Sequence, residues 1–205
     1  MTKIFYTDIF NVNLSDIDLS LLTKERIDKA NLINNELKKI QSLASYLLLR
    51  YAFNKLNIDI NKYRFSYIAN KPFIEGLGYF FNITHSNNIV AVVISDEEVG
   101  LDCEMVDTTR NLNLLKSYLF TTKETAEFDL FSDVEKYEYF YQKWVMKEAY
   151  FKKRGLGLSK SFNKTDNLDY PIIKITDKNN DAYFVSCTCV DYEIGKIEFK
   201  QINTI

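Results

Sequence analysis

An α+β fold of two similar lobes is what this sequence predicts, and three observations predict it. Each half of the 205 residues reads as a strand, then helix, then several strands. No Gly/Ser linker or low-complexity segment separates the halves, so lobes over 1–97 and 98–205 should pack tightly. At 46% hydrophobic and 15% aromatic, the chain can bury one large core or two small ones.

In order, residues 3–9 read as a strand, and the Gly- and Pro-free stretch 24–55 reads as helix, with "ASYLLLRYAF" its most apolar part. Strands follow near 63–68, 78–84 and 89–95. The second half opens with a strand over 98–105 and continues with helices near 111–118 and 121–131. A longer helix from Asp133 to Arg154 is ended by Gly155. Strands near 161–164, 171–176, 182–190 and 194–200 close the chain.

A net charge of -2 gives no global attraction to nucleic acid, so an anionic ligand must be held by a local cluster of Lys and Arg. The opening "MTKIFYTDIF" has no apolar run, and no stretch approaches about 18 uninterrupted apolar residues, so no membrane segment and a cytoplasmic location are expected. Cys103, Cys187 and Cys189 lie in apolar, strand-like segments and are expected as reduced thiols. With His85 the only histidine, the composition argues against a zinc site of His and Cys.

Three stretches carry chemistry. In "WVMKEAYFKKRGLG", helical spacing puts Tyr141, Trp144, Glu148, Phe151 and Lys152 in one stripe, so an acid there needs a cation, a metal or a proton. Lys152 lies one turn beyond Glu148, where the plain reading is a surface salt bridge. Lys147 points about 100° away, toward a different anion or solvent. In "EVGLDCEMVD", Val99, Leu101, Cys103 and Met105 share one face of a strand and Gly100, Asp102 and Glu104 the other. Two carboxylates about 7 Å apart can converge on a hard cation, and Gly100 is expected to leave open space beside them. The alternative is a solvent-facing edge strand, where acids are common. In "YFFNITHSNNIVAVVIS", two apolar strands flank Thr84, His85 and Ser86, and Asn87-Asn88 can turn the chain. Such a hairpin tip can bind a phosphate or be an ordinary turn.

"KPFI" at 71–74, "FNITHS" at 81–86, "VGLDCE" at 99–104 and "WVMKEAYFKKRGLGLS" at 144–159 together resemble the 4′-phosphopantetheinyl transferases of the Sfp type, in family order and at family-like separations. The resemblance spans about Lys71 to Ser159, with looser flanks. It implies a pseudo-twofold arrangement of two α/β lobes in a monomer, with the site between them. The implied activity moves the phosphopantetheine arm of coenzyme A onto a serine of an apo acyl, peptidyl or aryl carrier protein, with Mg²⁺. By similarity, Asp102, Glu104 and Glu148 would hold the metal, Glu148 would also serve as the base directly or through a water, and Lys152 would neutralise the leaving bisphosphate. Glu124 in "FTTKETAEF" corresponds to an auxiliary acid. Lys71, Thr84, His85 and Lys147 would contact coenzyme A, with Arg26, Lys29 and Ser42 aligning more loosely; Gln41 stands where many members have Arg. The region 111–131, with Leu112, Leu115, Tyr118, Leu119 and Phe120 around Lys116 and Lys123, is the candidate carrier-docking surface, or else plain lobe packing. Two other functions use the same residues, a Mg²⁺-dependent phosphohydrolase and a carrier-binding module without transfer. No nucleotide-binding glycine loop supports the first, and the intact acidic set argues against the second.

Overall fold

Four layers stack in the order helix, sheet, sheet, helix. The computed structural model describes residues 1–69, 71–156 and 162–204. In chain order the elements are β1 (Thr2–Asp8), α1 (Lys24–Asn31), α2 (Glu36–Asn54), β2 (Phe65–Ile68), β3 (Lys71–Ile74), β4 (Phe80–Ser86) and β5 (Ile89–Ser95). There follow β6 (Leu101–Met105), α3 (Leu112–Leu119), α4 (Thr122–Asp129), α5 (Asp133–Lys153), β7 (Ile172–Thr176), β8 (Ala182–Cys187), β9 (Glu193–Lys196) and α6 (Phe199–Ile202). One sheet has the order β4-β5-β1-β9, a second β6-β8-β7, and β2 pairs with β3 alone. The architecture is the expected α+β class.

β5 is apolar throughout because both of its faces are covered. Val90, Val92 and Ile94 meet Leu43, Leu47 and Phe53 of α2 in one core. Ile89, Ala91 and Val93 meet Leu101, Cys103, Val185 and Cys187 of the second sheet in another. The outer face of that second sheet carries α5, where Phe140, Tyr141, Val145 and Phe151 pack with Phe184 and with Leu119 and Phe128 of the preceding helices. Each such aliphatic or aromatic side chain contributes about 1.5–3 kcal/mol on burial. The alternation read in the sequence therefore places Gly100, Asp102 and Glu104 on the α5 side of β6.

Three expectations are corrected. The single helix over 24–55 is two helices, because Asn35 leaves helical geometry and its side chain accepts the Lys38 N–H at 2.9 Å, capping α2. The strand near 161–164 is a 3-10 turn over Phe162–Lys164, Ser161 lying outside the described residues. The last expected strand is β9 followed by α6. β9 runs parallel to β1, with Ile4 opposite Ile194, and so adds a strand from the second half of the chain to the first sheet. The three cysteines are free thiols. No helix among the described residues is long and apolar enough to cross a membrane.

Candidate active site

The edge of β6 that does not pair with β8 meets side chains of β4 in place of a strand. Asn82 Oδ1 accepts the Leu101 N–H at 3.2 Å, Thr84 Oγ1 the Cys103 N–H at 3.2 Å, and Ser86 Oγ the Met105 N–H at 3.0 Å. The period of two in Asn82, Thr84 and Ser86 matches the period of the N–H groups along the edge, so the two sheets are joined by a side-chain ladder. The hydroxyls also serve the acids. Thr84 donates to Asp102 Oδ1 at 3.1 Å and Ser86 to Glu104 Oε2 at 3.0 Å.

From the other side, α5 lies directly on β6. A Cβ on Gly100 would collide with the carbonyl oxygen of Ala149 and stand 2.7 Å from the Lys153 nitrogen, so the space expected beside Gly100 is filled by helix backbone. This close approach sets Glu148 and Lys152 against the β6 acids. Lys152 Nζ donates to Asp102 Oδ1 at 2.6 Å and to Thr84 Oγ1 at 3.1 Å. Asp102 is buried, and its Oδ2 has no hydrogen-bond partner among the described residues.

Burial, and after it the charge of Asp102, raises the carboxyls of both Glu104 and Glu148 to about 7. Burial raises Asp102 as well, against the pull of Lys152. The lysine itself is lowered by burial, but Asp102, Glu148 and Glu104 outweigh this and leave it raised. Three acids and one ammonium thus form one electrostatic unit in the seam between β4, β6 and α5. Among the described residues, no three His, Cys, Asp or Glu side chains are gathered closely enough to hold a metal as they stand.

His85 points to the opposite face of β4 from Thr84 and has an exposed edge; the surrounding protein mass, then Lys152, Lys38 and Arg26, hold its imidazole below the ordinary value. Thr84 is buried, with its one proton on Asp102 and its lone pairs taken by Cys103 and Lys152. Lys71 donates to the Lys153 carbonyl at 2.9 Å, at the C-terminus of α5. Arg26 donates to the Ser42 hydroxyl at 2.8 Å and lies over the Tyr46 ring. Arg26 and Lys29, with Arg64, Tyr46 and Tyr67, line a cleft of about 280 Å³. Gln41 is buried and donates to the Asn87 carbonyl at 2.8 Å, holding the β4–β5 turn. Gly157, Leu158 and Ser159 of the long motif lie outside the described residues.

Lys147 and Glu124 stand apart from that unit. Lys147 is 1% exposed and donates to Glu124 at 2.5 Å, to the Leu119 carbonyl at 2.6 Å and to the Phe162 carbonyl at 3.0 Å. All three protons of its ammonium are thereby engaged, and it faces neither solvent nor the β6 acids. Glu124 accepts the Thr121 N–H at 2.9 Å while Thr121 Oγ1 accepts the Glu124 N–H at 3.2 Å, a reciprocal cap that starts α4. The sequence signal for that role was the spacing Thr121-x-x-Glu124. The ladder had a signal too, in three polar residues at alternate positions of a strand.

The sequence also matches known proteins. Residues 98–200, half of the chain, match the family model described as the 4′-phosphopantetheinyl transferase superfamily. The chain belongs to that superfamily. It is 37% identical over 87 residues to the 4′-phosphopantetheinyl transferase AcpT of Escherichia coli K12, covering 42% of this chain and 45% of that one. It is 28% identical over 144 residues to the 4′-phosphopantetheinyl transferase Sfp of Bacillus subtilis, covering 69% and 63%. To HetI of Nostoc, a protein of the same name, it is 29% identical over 112 residues, covering 51% and 47%. The chain thus spans about half the length of the AcpT and HetI chains.

Proposed function

We propose that this chain transfers the 4′-phosphopantetheine arm of coenzyme A to a serine of an apo carrier protein. The observation that carries this reading is the convergence of Asp102, Glu104 and Glu148 with Lys152 in one seam, in a chain of this superfamily. The acids fit Mg²⁺, which favours oxygen ligands, keeps several waters and needs only one or two carboxylates besides substrate phosphates. The buried and unpartnered Oδ2 of Asp102 is the clearest free ligand atom among them. Asp102, Glu104 and Glu148 would hold the ion, and when bound it would offset the charge of the pyrophosphate.

The protein's own groups act around that charge. Glu148, directly or through a water it holds, takes the proton of the attacking serine hydroxyl. The serine oxygen forms its bond to the β-phosphorus, and the bond to the departing bisphosphate oxygen breaks. Lys152 offsets the charge that grows on that oxygen. The His85 imidazole supplies a hydrogen-bond donor for the nucleotide end, and the Arg26–Lys29 cleft supplies cations.

The carrier is proposed to dock on α3 and the start of α4. Leu112, Leu119 and Phe120 are buried in the adjoining core, while Leu114 and Tyr118 on α3 stay exposed. Incubation with coenzyme A, Mg²⁺ and a panel of apo carrier proteins, read by intact mass, tests the function. A carrier gaining one phosphopantetheine supports it, and no gain on any carrier contradicts it.

A further inference from the structure

The hydroxyl of Ser86 is held by two groups at once. It accepts the Met105 N–H at 3.0 Å, so its single proton is directed to Glu104 Oε2, also at 3.0 Å. Thr84 repeats the arrangement one rung earlier, between the Cys103 N–H and Asp102. In each case the hydroxyl takes the N–H of the residue after the acid and gives its proton to the acid. Asn82 makes the third rung to Leu101 with its Oδ1, but the residue before Leu101 is Gly100, which has no carboxylate. The ladder therefore contains two rungs that carry an acid and one that only joins the sheets.

We propose that Ser86 is a positioning residue for Glu104. It fixes the carboxylate's rotation by a bond that spans the two sheets, as Thr84 does for Asp102. Without such a bond, Glu104 would have three side-chain torsions to order when it meets a cation, and ordering a long side chain opposes binding. Partners of this kind, which hold metal-binding carboxylates, typically account for 10–100-fold in metal affinity. The inference rests on the reading of Glu104 as a ligand, and concerns what prepares it.

The test is equilibrium binding of Mn²⁺ in the presence of coenzyme A, read from the spin resonance of free Mn²⁺, with no carrier and no turnover. Ser86→Ala should weaken Mn²⁺ binding about tenfold, and Ser86→Thr, which keeps the hydroxyl, should restore most of the loss. Asn82→Ala is the control: it should lower the melting temperature through the lost rung and leave Mn²⁺ affinity unchanged. Wild-type affinity in Ser86→Ala, an equal loss in Asn82→Ala, or no Mn²⁺ binding by the wild-type protein would overturn the proposal. Failure of the functional reading is separate, since it appears as absent carrier modification while the Mn²⁺ comparison still decides Ser86.

Discussion

Gly100, just before β6, and Ala149 on α5 approach so closely that no side chain fits between them. Ala149 follows Glu148 in sequence, so this backbone contact sets how far the helix acid lies from the strand acids. Gly100→Ala must push α5 outward. Transfer should fall about a hundredfold, the scale of an ångström of misplacement in a reacting geometry, with the far-ultraviolet spectrum retained. Unchanged kcat/KM in the folded variant would show that the spacing does not matter.

The acids predict a pH dependence of stability. Glu104 and Glu148 are raised to about 7, first by burial and then by Asp102, from the usual value of 4.5. Between these limits the folded state holds more protons than the unfolded state, so their contribution makes stability fall as pH rises through that window and level off above it. The melting temperature of the ligand-free protein should fall over this range, and Glu104→Gln with Glu148→Gln should flatten the slope. An equal slope in the double variant would place the titration elsewhere.

Lys147 is expected to act through stability. Lys147→Met leaves Glu124 buried without its nearest cation, and breaking a buried pair costs about 3–5 kcal/mol. Urea unfolding should show that loss, and adding Glu124→Gln should recover part of it. An unaltered stability with a raised KM for coenzyme A would make Lys147 a phosphate contact.

His85 keeps its exposed edge beside the Lys38 and Arg26 charges. Its removal should therefore raise the KM for coenzyme A more than for dephospho-coenzyme A, because only one of them carries the 3′-phosphate. Equal changes for both substrates would assign His85 to the fold.

Much of the site was legible because strand periodicity is strict. Asp102 and Glu104 fall on the face opposite Cys103 whatever the partners are, and the Asn87-Asn88 turn follows from its residues, Asn87 having φ 43°. Contacts distant in sequence were not legible. Nothing local to Gly100 distinguishes open space from a helix backbone, and nothing local to Lys147 distinguishes solvent from the carbonyls of Leu119 and Phe162. The parallel placement of β9 beside β1 is likewise decided by packing between the ends of the chain. Asn35 carried a cap signal, but the apolar periodicity on either side of it masked the break.

The most direct test compares wild-type protein with Asp102→Asn, counting bisphosphate released and holo-carrier formed in the same reaction with coenzyme A and Mg²⁺. One bisphosphate is expected for each modified carrier and none without carrier, and the Asp102→Asn rate should be lower by about a hundredfold or more. Bisphosphate released without carrier modification, or an Asp102→Asn rate equal to wild type, would contradict it.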